Sequence, residues 1–127
     1  RGITLEYETK TVMISVNPEL FSRLLVNLVS NAYRYGRENG HIRVRLWQED
    51  SSLVLSVADD GIGIAHNEQE KIFRRFYQAD ASRGGEGTGL GLAMVYEIAR
   101  FYHGTVTVES VVDQGSTFVV RMPAGQS

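Results

Sequence analysis

Three polar side chains lie on one line along the first segment with helical periodicity. Asn27, Asn31 and Arg34 are spaced i, i+4 and i+7, so they share one helix face beside the apolar stripe. An asparagine oxygen can coordinate Mg²⁺, and an arginine one turn further can pair with a phosphate. Asparagine is unfavourable in a helix middle, which favours a chemical role. A polar stripe facing water is the alternative, and this pattern alone leaves both open.

A second candidate is the loop Asp59-Asp60-Gly61-Ile62-Gly63-Ile64, which directly follows a strongly predicted strand. Its glycines permit positive φ and let a ligand approach the backbone. A carboxylate at a strand end can accept a hydrogen bond from an amine such as that of adenine. An ordinary Asp-Gly turn is the alternative interpretation. A calcium loop is excluded because no bidentate glutamate follows at the required spacing with the other ligands before it.

A third candidate is the glycine-rich segment Gly85-Glu86-Gly87-Thr88-Gly89-Leu90-Gly91-Leu92, which opens a predicted helix. Backbone N–H groups there can face an anion, which the helix N-terminus also favours. The segment lacks the Lys-Ser/Thr ending of a Walker loop, and it follows a loop where a dinucleotide site would follow a strand. Gly89 and Gly91 would each cost about 1 kcal/mol against alanine. Close approach of a ligand or of another helix would explain them.

The remaining chemistry-bearing residues are less specific. The segment Ile72-Phe73-Arg74-Arg75-Phe76-Tyr77 could latch a lid, or it could be a core-facing helix with solvated arginines. His41, His66 and His103 have no partner at metal-ligand spacing, so we expect surface positions for them. The absence of cysteine excludes disulfides and a cysteine-based zinc site.

The elements that position these candidates form an α+β two-layer sandwich. Periodicity predicts a mixed sheet of about five strands with three helices on one face. The predicted strands cover residues 4–9, 12–16, 41–47, 53–58, 105–111 and 116–122, and the helices cover residues 17–35, 68–76 and 89–102. Asn17-Pro18 is a typical helix start.

Length and composition are those of one ordinary globular domain. The chain has 127 residues, 43% of them hydrophobic, and 13 basic against 15 acidic residues give a net charge of −2. This balance does not favour a nucleic-acid or membrane surface. No membrane-spanning run or signal peptide is visible. Since residue 1 is arginine, we expect a fragment of a longer protein.

In this order, the four segments resemble the GHKL ATPases, the fold family of histidine kinases, type II topoisomerases, mismatch-repair ATPases and a heat-shock chaperone. The segment from Asn27 to Tyr35 resembles the asparagine box of that family, and residues 59–64 and 87–92 resemble its two glycine boxes. The segment 73–77 resembles the phenylalanine box, which is typical of sensor kinases. The resemblance implies a Bergerat-type sandwich across nearly the whole chain.

The resemblance also implies the roles of individual residues. Asn31 would hold Mg²⁺ against the phosphates of ATP, Asn27 would line the same site, and Asp59 would bind the adenine amine. Residues 77–87 would form a lid over the nucleotide. Arginine at position 34 and aspartate at position 60 depart from the usual lysine and asparagine. The implied ATP-binding residues are Asn27, Asn31, Arg34, Tyr35, Asp59, Gly61, Gly63, Ile64, Arg75, Phe76, Gly87, Thr88, Gly89, Leu90, Gly91 and Leu92, of which Asn27, Asn31 and Arg34 would be catalytic.

A sensor histidine kinase of this kind would transfer the γ-phosphoryl group of ATP to a histidine on a separate helical dimerisation and phosphoacceptor domain of the same protein. The expected partners are that domain and a response-regulator receiver domain, without nucleic acid, in a homodimeric parent. The domain itself would be cytoplasmic, which leaves anchoring of the parent in the inner membrane open. A GHKL serine kinase of anti-sigma type and a non-catalytic nucleotide-binding module are the alternatives.

Overall fold

A computed structural model of the chain describes residues 2–9, 16–69, 71–73 and 91–123. In chain order, the elements are β1 (Thr4–Thr9), α1 (Pro18–Tyr35), β2 (His41–Glu49), β3 (Ser52–Asp59), a 3₁₀ turn (His66–Glu68), α2 (Gly91–Phe101), β4 (Thr105–Val111) and β5 (Gly115–Pro123). Of the predicted strand at 12–16, only residue 16 is among the described residues. The first two residues of the helix predicted at 89–102 lie outside them.

Helix α1 begins where the sequence predicts because its first turn is capped. The Asn17 side-chain oxygen accepts hydrogen bonds from the backbone N–H groups of Glu19 (2.8 Å) and Leu20 (3.1 Å). Pro18 occupies the first turn, where its missing N–H costs nothing. The helix buries one apolar stripe against the sheet and α2, formed by Leu24, Leu28 and Ala32.

The sheet is mixed, with the strand order β1-β2-β3-β5-β4. Only the β1–β2 pair is parallel among the described strands, and the other three pairs are antiparallel. Cross-strand register aligns apolar residues in rows on the helix-facing side, because side chains alternate between the faces of a strand. One such row contains Val44, Val57, Phe118 and Val108. The predicted α+β sandwich is therefore confirmed.

The number of helices differs from the prediction. Two α-helices are present in the described part of the chain, where three were expected. Of the segment predicted as a helix over 68–76, Glu68 ends the 3₁₀ turn and residues 71–73 form turns, whereas residues 70 and 74–76 lie outside the described residues. Ile72 is nevertheless buried in the core and Phe73 packs edge-on against Phe118, with ring centroids 6.1 Å apart. At residues 71–73, the apolar side chains therefore belong to a turn that packs against the core.

Candidate functional site

The site is built around Asp59, the last residue of β3. Asp59 pairs with Ile42 on one side and Ser116 on the other, and Ser116 in turn opposes Ser110. Since Ile42 is in the core, this whole row lies on the helix-facing side of the sheet. Asp59, Ser116 and Ser110 therefore replace an apolar row with a polar one at the end of the sheet nearest the glycine loop.

The carboxyl group of Asp59 is partly buried and held in place by its own loop. Its Oδ1 accepts a hydrogen bond of 2.9 Å from the backbone N–H of Gly61. The pKa of Asp59 is raised from an ordinary value of 3.8 to about 6, mainly by burial and in part by the neighbouring charge of Asp60. Hydrogen bonds from the backbone of Gly61 and Ser116 oppose this shift. The result is a desolvated acceptor at the edge of the core.

Asp60 hydrogen bonds to residues outside the loop. Its Oδ1 accepts from the His41 backbone N–H (2.9 Å), and its Oδ2 lies 3.1 Å from the His41 ring nitrogen Nδ1. Arg37 Nε donates to the Asp60 carbonyl at 2.7 Å. Although partial burial pulls the pKa of Asp60 upward, the His41 hydrogen bonds and the Arg37 charge outweigh it and lower the pKa. Asp60 thus fastens the loop to the start of β2.

The loop between Asp59 and Ile64 is clamped from two sides. The Ile62 N–H donates to the Tyr35 carbonyl at the end of α1 (3.1 Å), and the Ile62 carbonyl accepts from the Asp113 N–H (2.7 Å). Gly61 is required by contact, because a Cβ there would overlap the Tyr35 carbonyl oxygen and lie 2.7 Å from the Gly36 Cα. Gly63 has φ +74°, which a residue with a side chain rarely adopts. Positive φ is therefore found at Gly63, as the sequence predicted, whereas the atoms that lie close to Gly61 belong to the backbone of the chain itself, where the sequence predicted the approach of a ligand.

The polar face of α1 runs toward this loop. Asn27, Asn31, Arg34 and Tyr35 are all half-buried. Asn31 lies one turn before Tyr35, a separation of about 6 Å along the helix axis. The loop that follows Asp59 therefore meets the C-terminal end of α1, about one turn beyond Asn31. Ile64 is half-buried at the far end of the loop.

Helix α2 presents its N-terminus without a covering group in the part of the chain that the structure describes. Gly91, its first residue, is exposed, and a Cβ added there would meet no atom within 4 Å. Packing of another helix therefore does not explain this glycine. Leu92 is half-buried beside the core. The predicted lid (77–87) and six predicted site residues lie outside the described residues, namely Arg75, Phe76, Gly87, Thr88, Gly89 and Leu90.

Three polar residues that stabilise the loop were not predicted. Gln69 donates to the carbonyls of Ile64 in the loop and Ser110 in β4. The Ser110 hydroxyl accepts from the Ile64 N–H and is hydrogen bonded to the Ser116 hydroxyl. The serines could have been found from strand register, since Ser116 pairs with Asp59 across β3 and β5 and Ser110 pairs with Ser116 in the β4–β5 hairpin. Gln69 had no signal, because its contacts depend on the 3₁₀ turn.

Among the described residues, no three acidic or histidine side chains lie close enough together to bind a metal ion. His41, His66 and His103 are exposed, as predicted. The oxygen ligands that α1 offers are the amide oxygens of its asparagines, and these suit a hard cation that phosphate oxygens also bind. Within the described residues, no helix is both long and apolar enough to span a bilayer.

Comparison with known proteins agrees with this geometry. Residues 16–126 match the family of histidine kinase-, DNA gyrase B- and HSP90-like ATPases. A circadian input-output histidine kinase, CikA of Synechococcus elongatus, is 36% identical over 123 residues, which are 95% of this chain and 16% of that protein. The chain thus spans less than a fifth of that relative's length.

Two solved structures have the same fold. The mycobacterial sensor histidine kinase MprB superposes with a TM-score of 0.88 at 25% identity, covering 99% of this chain and 86% of that one. Full-length ShkA in complex with AMPPNP superposes with a TM-score of 0.85 at 27% identity, covering 99% of this chain and 26% of that one.

Proposed function

Because the chain belongs to the family of histidine kinase-, DNA gyrase B- and HSP90-like ATPases, we propose that it binds Mg-ATP and donates the γ-phosphoryl group to a histidine. The acceptor histidine is on a separate helical dimerisation domain of the same protein. CikA and MprB, to which this chain is similar, are histidine kinases by name. The phosphoryl group then passes to the receiver domain of a response regulator, and the parent protein is a homodimer.

One observation carries this proposal. The Asp59 loop is joined to the end of α1 by the bond from the Ile62 N–H to the Tyr35 carbonyl. An acceptor for an amine therefore lies on a glycine-containing loop that is bonded to the end of the helix carrying Asn27 and Asn31, which supports one site formed by both. An adenine nucleotide has the same order of groups, an amine at one end and a triphosphate at the other. The AMPPNP complex of ShkA supports an ATP-like ligand for this fold.

Each residue has a role that its chemistry allows. The Asp59 carboxylate accepts a hydrogen bond from the adenine amine, while Gly61, Gly63 and Ile64 line the edge of the ring. Mg²⁺, when bound, neutralises phosphate charge and is held through the Asn31 amide oxygen. The N-terminus of α2 at Gly91 and Leu92 offers N–H groups to phosphate oxygens. The lid residues that the family resemblance implies would complete the phosphate site.

On α1, the remaining residues act on the reacting end of the nucleotide. Asn27 lines the site one turn before Asn31, and Arg34 and Tyr35 contact phosphate and nucleotide. An arginine can form two parallel hydrogen bonds to a phosphate, which a lysine cannot. Catalysis of phosphoryl transfer depends mainly on positioning and charge neutralisation, so these side chains are sufficient without a covalent intermediate.

Isothermal titration calorimetry with AMPPNP tests the proposal. We expect binding that requires Mg²⁺ and is at least about tenfold weaker in Asn31→Ala, since a metal ligand is lost. Asn67→Ala is the matched control, because Asn67 is an exposed asparagine in the 3₁₀ turn. No binding to a folded wild-type chain would contradict the proposal and would favour a degenerate kinase domain that holds a protein partner. Transfer to a serine substrate would favour the anti-sigma type of kinase.

A further inference from the structure

We propose that Gln69 is a positioning residue that holds the adenine-recognition loop in its binding geometry, with Ser110 as its partner on β4. The inference rests on the proposed function, because it assigns Gln69 to the site that binds the base. Gln69 lies outside the four sequence segments that carry the family resemblance. It is half-buried, just after the 3₁₀ turn.

The side-chain amide of Gln69 bridges the loop and the sheet. Its Nε2 donates to the carbonyl of Ile64 at 2.9 Å and to the carbonyl of Ser110 at 3.2 Å. An amide NH₂ has two donors, so both are used. Gln69 therefore ties the last residue of the glycine loop to β4 through main-chain atoms, whose positions do not depend on side-chain rotamers.

Ser110 completes the attachment from the other direction. Its Oγ accepts from the Ile64 N–H at 2.7 Å, and it lies 2.9 Å from the Gly115 carbonyl and 2.7 Å from the Ser116 Oγ. One assignment satisfies every group: the Ser116 hydroxyl donates to Ser110, and the Ser110 hydroxyl donates to the Gly115 carbonyl. Both polar main-chain groups of Ile64 are thus paired, its N–H with Ser110 and its carbonyl with Gln69.

The attachment bears on Asp59 because the loop is short. From Ile64 the chain passes through Gly63, where φ is +74°, to Ile62, which is bonded to Tyr35 and Asp113. Gly61 follows, and its N–H holds the Asp59 Oδ1. If Ile64 loses its hydrogen bond to Gln69, one end of the segment from Asp59 to Ile64 is held less firmly. The orientation of the acceptor and the width of the slot beside it then vary, which affects recognition of the base more than recognition of the phosphates.

The test compares Gln69→Glu with Gln48→Glu in the 127-residue chain. The first replaces two donors with a carboxylate that faces two carbonyl oxygens, whereas Gln48 is exposed on β2 and serves as the matched control. We measure the affinities for AMPPNP and for GMPPNP with Mg²⁺ by calorimetry, and the amide hydrogen exchange of Ile64 by NMR. Two lost hydrogen bonds would reduce the population of loops in which Asp59 is oriented to accept from the adenine amine, so the apparent affinity for AMPPNP falls about tenfold while that for GMPPNP, which has no such amine, does not.

We expect Gln69→Glu to lower the ratio of AMPPNP to GMPPNP affinity about tenfold and to speed exchange at Ile64, while exchange at Leu55 in β3 is unchanged. Gln48→Glu should change neither quantity. An unchanged ratio, or an equal loss for both nucleotides, would overturn the proposal. A wild-type chain that binds neither nucleotide would refute the proposed function instead, and exchange at Ile64 would still decide whether Gln69 holds the loop. Should Gln69→Glu not fold, Gln69→Ala takes its place with the same expected direction.

Discussion

Replacing Asp59 by asparagine should stabilise the fold at neutral pH and weaken binding of adenine nucleotides. Burial raises the pKa of Asp59 from 3.8 to about 6, so the folded chain holds a proton more tightly than the unfolded chain. Stability therefore falls as pH rises from about 4 to 6, and the cost is fully present above that window. Asparagine carries no charge and can still accept the hydrogen bond from Gly61.

The expected gain in stability of Asp59→Asn follows from the pKa shift of Asp59. The change from 3.8 to about 6 corresponds to an upper limit of about 3 kcal/mol. Asp59 keeps some contact with solvent, which reduces the expected gain to about 1–2 kcal/mol, or a rise in Tm of about 4–8 °C at pH 7. At the same pH, the affinity for AMPPNP should fall at least about tenfold, because a charged acceptor is lost.

Thermal unfolding of both chains between pH 4 and pH 8 measures this prediction. The two curves should meet near pH 4 and separate until about pH 6. Asp60→Asn is the control, and it should destabilise the fold at pH 7, since the pKa of Asp60 is lowered by its bonds to His41 and by Arg37. The reasoning is refuted if Asp59→Asn is less stable than wild type at pH 7, or if its affinity for AMPPNP is unchanged.

Three further predictions concern two glycines and the reaction. Gly61→Ala should destabilise the chain by about 1–3 kcal/mol in urea unfolding and abolish AMPPNP binding, because its Cβ would overlap the Tyr35 carbonyl. Gly91→Ala should leave the free energy of unfolding unchanged or raise it by up to about 1 kcal/mol, while it weakens AMPPNP binding. Equal effects of Gly61→Ala and Gly91→Ala on stability would contradict this account. With γ-labelled ATP, the isolated chain should retain no label after denaturation, since His41, His66 and His103 lie on a strand, a turn and a helix end. Retained label would refute the expected need for a separate acceptor domain.

Much of the fold could be predicted from local sequence patterns. Helix α1 was found to within one residue because its cap and its apolar stripe agree. Strands β2 to β5 were found because β-branched residues alternate between recognisable turns. Glu68 and residues 71–73 were predicted as part of a helix because the apolar Ile72 and Phe73 fit a helical pattern in a window too short to decide the period.

The candidate site divides in the same way. Asp59, Gly61 and Asn31 could be proposed from spacing alone, since each lies in a local pattern. Gln69 and the Arg37–Asp60–His41 contacts could not, because they join residues that only the folded chain brings together. Local patterns identify groups that would touch a ligand, whereas the side chains that hold those groups in place require the tertiary structure.

The most direct measurement of the central claim is an NMR titration of the ¹⁵N-labelled chain with AMPPNP and Mg²⁺. The account predicts that the side-chain amide signal of Asn31 and the backbone signal of Gly61 shift together with one dissociation constant, whereas adenosine without phosphates shifts Gly61 and leaves Asn31 unchanged. Saturating nucleotide that shifts neither signal, or that shifts only one of them, would contradict a single site between α1 and the Asp59 loop.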